Sequence, residues 1–250
     1  MNHDCLVAFG SNEGESKSVI ENVVECFQDL KQITEFRSSA TYTTFPVGGP
    51  SGQRDYLNAC FRFRTELDPV QLFDLLVGIE TELGRERRQR WGSRKIDLDL
   101  LLHGHGKCFH VEADLEVPHP RMTFRRFVLE PAVEIAGDMV HCVAGMTLSE
   151  LLEHIESSED RIRLLSDRDH SSIGMLRTIC QDLGWEFSSC PLSPVASPPA
   201  AAKLNVYFRD ECEMAERQIA GKGPLLKLVG QNTEKWHLEI AAAISAISNC

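Results

Sequence analysis

The fold is decided by the stretch Lys95-Ile96-Asp97-Leu98-Asp99-Leu100-Leu101-Leu102, in which acidic and apolar residues alternate before an apolar end. Successive side chains of a β-strand point to opposite faces, so one face is predicted to enter the core and carries Ile96, Leu98, Leu100 and Leu102. Asp97 and Asp99 share the other face, about 6.6–6.8 Å apart along the strand. Two such carboxylates suit one or two Mg²⁺ ions whose coordination is completed by substrate phosphates. A solvated polar face is the alternative for an isolated pair of acids.

Apolar patterns before this stretch predict an alternating series of strands and helices. The predicted strands cover residues 5–9, 36–42, 56–64 and 95–102, and the predicted helices cover residues 16–33 and 69–83. Their order is strand, helix, strand, strand, helix, strand, as in the ferredoxin-like split β-α-β arrangement. We therefore predict an α+β fold in which an antiparallel sheet has helices packed on one face.

The chain is predicted to divide into a main domain, a linker and an appendage. Residues 1–160 form the predicted domain, and residues 161–202 form a predicted flexible linker because their end, from residue 188 onward, is rich in Pro, Ser and Ala. Residues 203–250 form a predicted α/β appendage of unknown function. Its predicted strands cover residues 204–208 and 225–229, and its predicted helices cover residues 210–219 and 234–247.

The amino-acid composition argues against nucleic acid and membranes as partners of this protein. A formal net charge of −11 argues against nucleic acid as the main partner, because phosphate backbones are bound by clustered Lys and Arg. No stretch approaches the roughly 20 apolar residues that span a bilayer, and the N-terminus lacks a signal-peptide pattern, so we expect a cytoplasmic protein without a membrane partner. The nine cysteines are scattered without a C-x-x-C pair, which predicts reduced thiols and no zinc site.

Positive charge is concentrated directly before the acidic strand. Between residues 85 and 95 the only acid is Glu86, and the basic residues are Arg85, Arg87, Arg88, Arg90, Arg94 and Lys95. Guanidinium groups bind phosphate oxygens in bidentate fashion, so this segment is predicted to hold a compact polyanion beside the two acids. A solvated charged loop is the alternative. Trp91, within the segment, is either a local anchor or a cover for a flat ligand.

A third cluster surrounds His119. Prolines flank this histidine on both sides, and Arg121, Arg125 and Arg126 follow it. By itself, His119 is more typical of a surface or capping histidine than of a phosphate contact.

Taken together, these residues resemble the family of hydroxymethyl-dihydropterin pyrophosphokinases. Matching motifs occur in order and at compatible spacing from residue 1 to about residue 155: Gly10-Ser11-Asn12; Asp55-Tyr56-Leu57-Asn58-Ala59; Gly84-Arg85; Arg90-Trp91-Gly92, Arg94 and Ile96-Asp97-Leu98-Asp99; and Pro118-His119-Pro120-Arg121, Arg125 and Phe127-Val128-Leu129. Each motif is weakly specific alone, but their conjunction is highly specific.

The resemblance implies transfer of pyrophosphate from ATP to the hydroxymethyl group of 6-hydroxymethyl-7,8-dihydropterin, with release of AMP, in folate biosynthesis. It implies catalytic roles for Arg85, Arg94, Asp97 and Asp99, with both aspartates holding two Mg²⁺ ions. The implied ATP contacts are Arg94, Ile96, His119, Arg121 and Arg125. The implied pterin contacts are Thr44, Val47, Tyr56, Asn58, Trp91 and Phe127. Glu80 matches a carboxylate near the site, and loop 85–94 is expected to close over the nucleotide.

Two positions depart from the family pattern, since Ser93 and Phe45 stand where the family usually has proline. Neither departure removes an implied ligand. Two other functions stay open at this point. One is a non-catalytic pterin-binding or nucleotide-binding module that uses residues 161–250 for interaction, and the other is a different Mg²⁺-dependent phosphoryl transferase. We expect a monomer in each case.

Overall fold

The computed structural model describes residues 2–47, 52–85, 93–104, 109–111, 115–165, 173–190, 202–208, 223–228 and 233–248. These residues form a mixed fold in which an antiparallel sheet lies in the N-terminal half and a parallel sheet in the C-terminal half. The α+β class with an antiparallel sheet, predicted for the first part of the chain, is confirmed.

The antiparallel sheet has five strands: β1 (His3–Ser11), β2 (Ile33–Ser38), β3 (Tyr42–Thr44), β4 (Tyr56–Thr65) and β5 (Asp97–His103). Four of them lie in the order β2-β4-β1-β5, and β3 also pairs with β4. The prediction of one strand over residues 36–42 is wrong, because the chain leaves the sheet between β2 and β3. There the hydroxyl of Ser39 accepts a hydrogen bond from the backbone N–H of Cys60, at 2.9 Å.

Helices α1 (Ser16–Asp29) and α2 (Pro69–Glu82) confirm the two predicted helices of this half. Both pack on one face of the sheet through buried apolar side chains, among them Val23 and Phe27 of α1 and Leu72 and Leu76 of α2. A capping box fixes the start of α2, because Asp68 and Gln71 each accept a hydrogen bond from the other's backbone N–H. With its start fixed in this way, α2 packs against β5 near its C-terminal end, which carries Glu80.

The prediction that helices cover only one face of the sheet is wrong. Helix α3 (Arg126–Ala136) packs on the other face, where Val128, Leu129 and Ala132 join Ala8 and Cys60 in a second core cluster. A short 3₁₀ helix (Met122–Phe124) leads into α3, and α4 (Leu148–Ser157) packs against both. Two short antiparallel pairs of strands complete this region. In one, β6 (Phe109–Val111) pairs with β7 (Leu115–Val117), and in the other, β8 (Val140–His141) pairs with β9 (Met146–Thr147). The face that carries Asp97 and Asp99 is consequently partly enclosed.

The parallel sheet has the strand order β11-β10-β12-β13. Its elements are β10 (Glu159–Leu165), α5 (Ile173–Asp182), β11 (Glu186–Cys190), β12 (Ala202–Phe208), β13 (Leu225–Leu228) and α6 (Thr233–Ser248). Strands β12 and β13 and helix α6 confirm the corresponding predictions within residues 203–250. The helix predicted over residues 210–219 lies outside the described residues.

The prediction of a linker across residues 161–202 needs correction, because β10, α5 and β11 occupy much of that range. Ile162, Leu164 and Leu165 are buried in the core, as expected for a parallel strand that is covered on both faces. The composition typical of a linker belongs to residues 191–201, which lie outside the described part of the chain. The prediction gave that composition more weight than the short apolar run Ile162, Leu164 and Leu165, which forms part of β10.

The two halves share the second core cluster, which contains Leu129 and Leu151 as well as Leu204 and Trp236. A buried polar contact also joins them. The hydroxyl of Thr123 donates to the carbonyl oxygen of Leu225 at 3.2 Å and accepts from the backbone N–H of Leu225 at 3.0 Å. The C-terminal half is thus packed onto the 3₁₀ helix that precedes α3.

Cys5, Cys26, Cys60 and Cys180 are free thiols, whereas Cys142 is disulfide-bonded. The prediction that all cysteines are reduced is therefore wrong for Cys142. Within the described ranges, none of the helices has the length and apolar character that a membrane crossing requires.

Thr123 provides a test of how the two halves are joined. Thr123→Val keeps the shape but removes the hydroxyl from both bonds to Leu225, so we expect the free energy of unfolding to fall by about 1–3 kcal/mol. Thr123→Ser keeps the hydroxyl and should be the more stable of the two variants. Urea denaturation measures both, and equal stability would contradict this role for the hydroxyl.

His141 provides a test of pH dependence. Burial lowers the pKa of His141 to about 4, and the ring Nδ1 accepts a hydrogen bond from the backbone N–H of Ala144 at 3.0 Å. Below pH 6.5 the unfolded chain binds a proton that the folded imidazole does not, so stability is lost as the pH falls from 6.5 towards 4. Between pH 7 and pH 5 we expect His141→Gln to lose about 2 kcal/mol less unfolding free energy than the unsubstituted chain. Exposed His237, changed to Gln, is the control, and equal losses in all three proteins would contradict the expectation.

Candidate active site

A cavity of about 210 Å³ opens where β1, β3, β4 and β5 meet the start of α3 and the helix α6. Many of the residues predicted from the sequence line this cavity: Thr44, Val47, Tyr56, Asn58, Arg94, Asp97, Asp99, Arg121, Arg125 and Phe127. The structure therefore brings the predicted phosphate, metal and pterin contacts to one place. These residues lie between positions 44 and 127 of the chain, so only the tertiary fold brings them together.

The register of three strands sets the floor of the cavity. Gly10 on β1 lies opposite Asn58 on β4 and opposite Asp97 on β5, and Ala8 lies opposite Asp99. Directly opposed side chains point to the same face, so Asn58 and Asp97 stand about 10 Å apart, two strand spacings, with only a glycine between them. A Cβ at Gly10 would lie 3.6 Å from Oδ1 of Asn58 and 3.9 Å from a ring carbon of Tyr56. The lack of a side chain at Gly10 keeps this part of the cavity open.

Arginines surround the carboxylate of Asp97. Nη1 of Arg94 donates a hydrogen bond to one carboxylate oxygen, and Nη2 of Arg85 lies 2.9 Å from the other. Burial and the neighbouring Asp99 raise the pKa of Asp97, while the two guanidinium groups act in the opposite direction. The protein thus holds two like charges close together and balances them with cations.

Glu80 at the end of α2 fixes one of these arginines. Its buried carboxylate accepts a hydrogen bond from Nη1 of Arg85 and another, at 2.7 Å, from the backbone N–H of Leu98. Because Leu98 lies between the two aspartates on β5, Glu80 ties the strand and the guanidinium group together. This arrangement agrees with the expected place of Glu80 beside the site.

Asp99 faces a second set of basic residues. Nη1 of Arg125 and Nε2 of His119 each lie 3.8 Å from Oδ2 of Asp99. Burial, followed by the charges of Arg125 and Arg121, lowers the pKa of His119 well below its usual range. His119 is therefore neutral near pH 7 and can offer a hydrogen bond but no charge.

The other end of the cavity is aromatic and amide-lined. The buried side-chain amide of Asn58 donates to the hydroxyl of Thr44 at 2.8 Å. Tyr56 and Phe127 both line this end, and burial raises the pKa of the Tyr56 hydroxyl. The guanidinium group of Arg125 lies 5.7 Å from the ring centre of Phe127 and so connects the aromatic end to the charged end.

Five of the predicted residues have a different outcome. Arg85 and His119 lie beside the two aspartates but do not line the cavity. Ile96 has a fully buried side chain in the core and does not line the cavity, which leaves only its backbone for a nucleotide. Trp91 lies outside the described residues. Arg121 lines the cavity but forms an ion pair with Glu239 of α6, at 2.8 Å.

Sequence reasoning missed every cavity residue that comes from α6. These are Glu239, Ala242, Ala243 and Ala246. They lie outside the recognised motifs, and an alanine-rich helix face carries no chemical signal of its own. The acid of the ion pair is 118 positions from Arg121 in the chain, so no local pattern connects the two.

Residues 6–137 match the family model described as 7,8-dihydro-6-hydroxymethylpterin-pyrophosphokinase (HPPK). A 2-amino-4-hydroxy-6-hydroxymethyldihydropteridine pyrophosphokinase of Synechocystis sp. is 36% identical over 157 residues, which are 62% of this chain and 77% of the relative. The enzyme of the same name from Bacillus subtilis is 40% identical over 136 residues, 54% of this chain and 79% of that one. A solved structure of an HPPK-DHPS in complex with substrates overlaps 88% of this chain and 62% of its own, with a TM-score of 0.47 and 11% identity, which is too distant to bear on the fold. On the family match and the similarity of its relatives, the chain belongs to the 7,8-dihydro-6-hydroxymethylpterin-pyrophosphokinase family.

Proposed function

We propose that this protein transfers pyrophosphate from ATP to the hydroxymethyl group of 6-hydroxymethyl-7,8-dihydropterin and releases AMP, as a step of folate biosynthesis. The observation that carries the proposal is the row Asn58–Gly10–Asp97 across three strands of a cavity in a member of this family. It places a hydrogen-bonding amide and an acid with cationic partners on the same floor. The reaction needs both, because its acceptor is a flat heterocycle and its donor a triphosphate.

Asp97 and Asp99 are the proposed holders of Mg²⁺, and two ions are proposed. The donor set fits, because Mg²⁺ is usually bound through one or two carboxylates and completed by waters and substrate phosphates. When bound, Mg²⁺ neutralises phosphate charge and orients the phosphates for displacement.

The proposed work of the arginines is alignment and charge stabilisation. Arg94 and Arg125 line the cavity at the charged end, and Arg85 is held against Asp97 by Glu80. The hydroxymethyl oxygen forms a bond to the β-phosphorus, and the bond from that phosphorus to the oxygen bridging to the α-phosphate breaks. AMP leaves with the electron pair of that bond, and the hydroxyl proton passes to solvent. No covalent nucleophile on the protein is required, because positioning and electrostatic stabilisation supply most of the effect in such transfers.

The aromatic end is the proposed pterin site. Tyr56 and Phe127 are the proposed stacking partners, and Asn58 is the proposed reader of the hydrogen-bonding edge, with backbone groups near Thr44 and Val47. The bond from Asn58 to Thr44 supports this assignment, because it fixes the orientation of the amide before a ligand arrives.

The finer features of the fold are also proposals. We infer a ferredoxin-like arrangement for residues 1–160, supported by the strand order β2-β4-β1-β5 with α1 and α2 on one face. This range is the proposed pyrophosphokinase domain, followed by a C-terminal unit. We also propose that the protein acts as a monomer.

Asp97→Asn tests the proposed function directly. The change removes one carboxylate charge from the metal-holding pair, so we expect the rate of AMP release from Mg·ATP and the pterin alcohol to fall at least about 100-fold. Asp74→Asn, on an exposed position of α2, should leave the rate within about twofold. Normal turnover by the Asp97 variant would refute the proposed role of the aspartate pair. Pterin binding without AMP release by the unsubstituted protein would refute the proposed reaction and favour a non-catalytic module.

Thr44 tests the proposed orientation of Asn58. Thr44→Val removes the acceptor of the Asn58 amide, so we expect KM for the pterin to rise roughly three- to tenfold while KM for ATP changes by less than about twofold. Thr44→Ser keeps the hydroxyl and should behave like the unsubstituted protein. Steady-state kinetics with each substrate varied in turn measures the difference, and an equal rise in both KM values would argue against a role limited to the pterin.

A further inference from the structure

Helix α6 forms one wall of the cavity, although it belongs to the C-terminal unit. Ala242, Ala243 and Ala246 line the cavity on this side, together with Glu239. Alanine side chains at these positions leave a smooth apolar surface without long groups that would occupy the space. The C-terminal unit therefore contributes to the same cavity as the residues of the family motifs.

Two kinds of contact hold α6 in this position. Trp236, Ile240 and Ile247, which are each at most 3% exposed, anchor the helix in the second core cluster, on a side next to the one that lines the cavity. On the cavity side, Nη2 of Arg121 lies 2.8 Å from the carboxylate of Glu239, whose side chain is only 12% exposed. The Arg121 side chain is 31% exposed, so the pair is only partly shielded from solvent, and a charged hydrogen bond of this kind is stronger than one on a fully exposed surface.

The wall lies at the aromatic end of the cavity. Helix α6 packs against α3 and against the 3₁₀ helix, and α3 carries Phe127 in its first turn. Val47 and Phe127 both pack against the core cluster that contains Ala243 and Ala246. The proposed stacking partner of the pterin and the alanine face of α6 thus belong to one continuous apolar surface.

We propose that α6 is part of the pterin site, that Ala242 limits the space available to the pterin, and that the Arg121–Glu239 pair positions the helix. The inference rests on the proposed function for the identity of the ligand. It changes the role of Arg121 from a phosphate contact to a positioning residue. It also gives the C-terminal unit a part in substrate binding.

Ala242→Leu is the first test, because Ala242 is only partly buried and a larger side chain there extends into the cavity. We expect the dissociation constant for 6-hydroxymethyl-7,8-dihydropterin, titrated calorimetrically in the presence of a non-hydrolysable ATP analogue and Mg²⁺, to rise about tenfold or more. Binding of the ATP analogue alone should change by less than about twofold. Ala241→Leu is the matched control, since Ala241 is the adjacent alanine, is also partly buried and does not line the cavity. Unchanged pterin binding by Ala242→Leu, or equal weakening in both variants, would overturn the proposal.

Glu239→Gln is the second test and keeps the size of the side chain while removing its charge. We expect pterin affinity to fall about three- to tenfold and kcat to change by less than about twofold, because the helix is held less firmly but the reacting groups are untouched. Tighter binding of the pterin by this variant would show that α6 obstructs the site, and would overturn the proposal.

The proposed reaction and the proposed role of α6 in pterin binding can be refuted separately. AMP release by the unsubstituted protein tests the proposed function, whereas the titrations measure pterin binding without any turnover. Absent AMP release with a pterin affinity that depends on Ala242 would refute the proposed reaction and support the wall. Normal AMP release with a pterin affinity that does not depend on Ala242 would support the proposed reaction and refute the role of α6.

Discussion

The site depends on two carboxylates that are held close together on one partly enclosed strand. Burying a carboxylate is costly unless it is paired, and a neighbouring carboxylate adds to the cost. The chain meets this cost with Arg85 and Arg94 around Asp97, and with Arg125 facing Asp99. Since β5 ends the row of paired strands, its free edge also needs a partner, and Glu80 supplies one by accepting from Leu98. One buried acid therefore completes the sheet edge and orients an arginine.

The sheet also sets the separation of the two ends of the site. Asn58 and Asp97 lie on strands that do not touch, and β1 between them fixes their distance through Gly10. A side chain at Gly10 larger than a methyl group would fill the space that both ends share. The antiparallel register thus fixes the distance between Asn58 and Asp97. A loop could not fix it with the same precision, because loops move more than paired strands.

Local pattern and long-range contact differ in what they allow to be predicted. The shared face of Asp97 and Asp99 follows from the two-residue period of a strand, and α2 follows from apolar spacing and its proline start. The row that joins Asn58 to Asp97 depends on pairing across three strands, and no single segment encodes it. The same is true of α3 on the second face, since its apolar residues do not say which surface they cover. The linker prediction failed because Pro, Ser and Ala after residue 190 outweighed Ile162, Leu164 and Leu165 in the interpretation.

The electrostatics of the cavity explain why the pairing of Arg121 matters. Glu239 neutralises Arg121, and His119 is neutral because burial lowers its pKa, so neither adds positive charge to the charged end. Among the described residues that face Asp97 and Asp99, Arg85, Arg94 and Arg125 then balance the two aspartates and Glu80. A cavity whose own charges nearly cancel attracts a nucleotide whose charge is already balanced by cations more than it attracts a free polyanion. The ion pair on α6 therefore affects both ends of the cavity, because it holds the helix beside the aromatic end and neutralises a cation near the charged end.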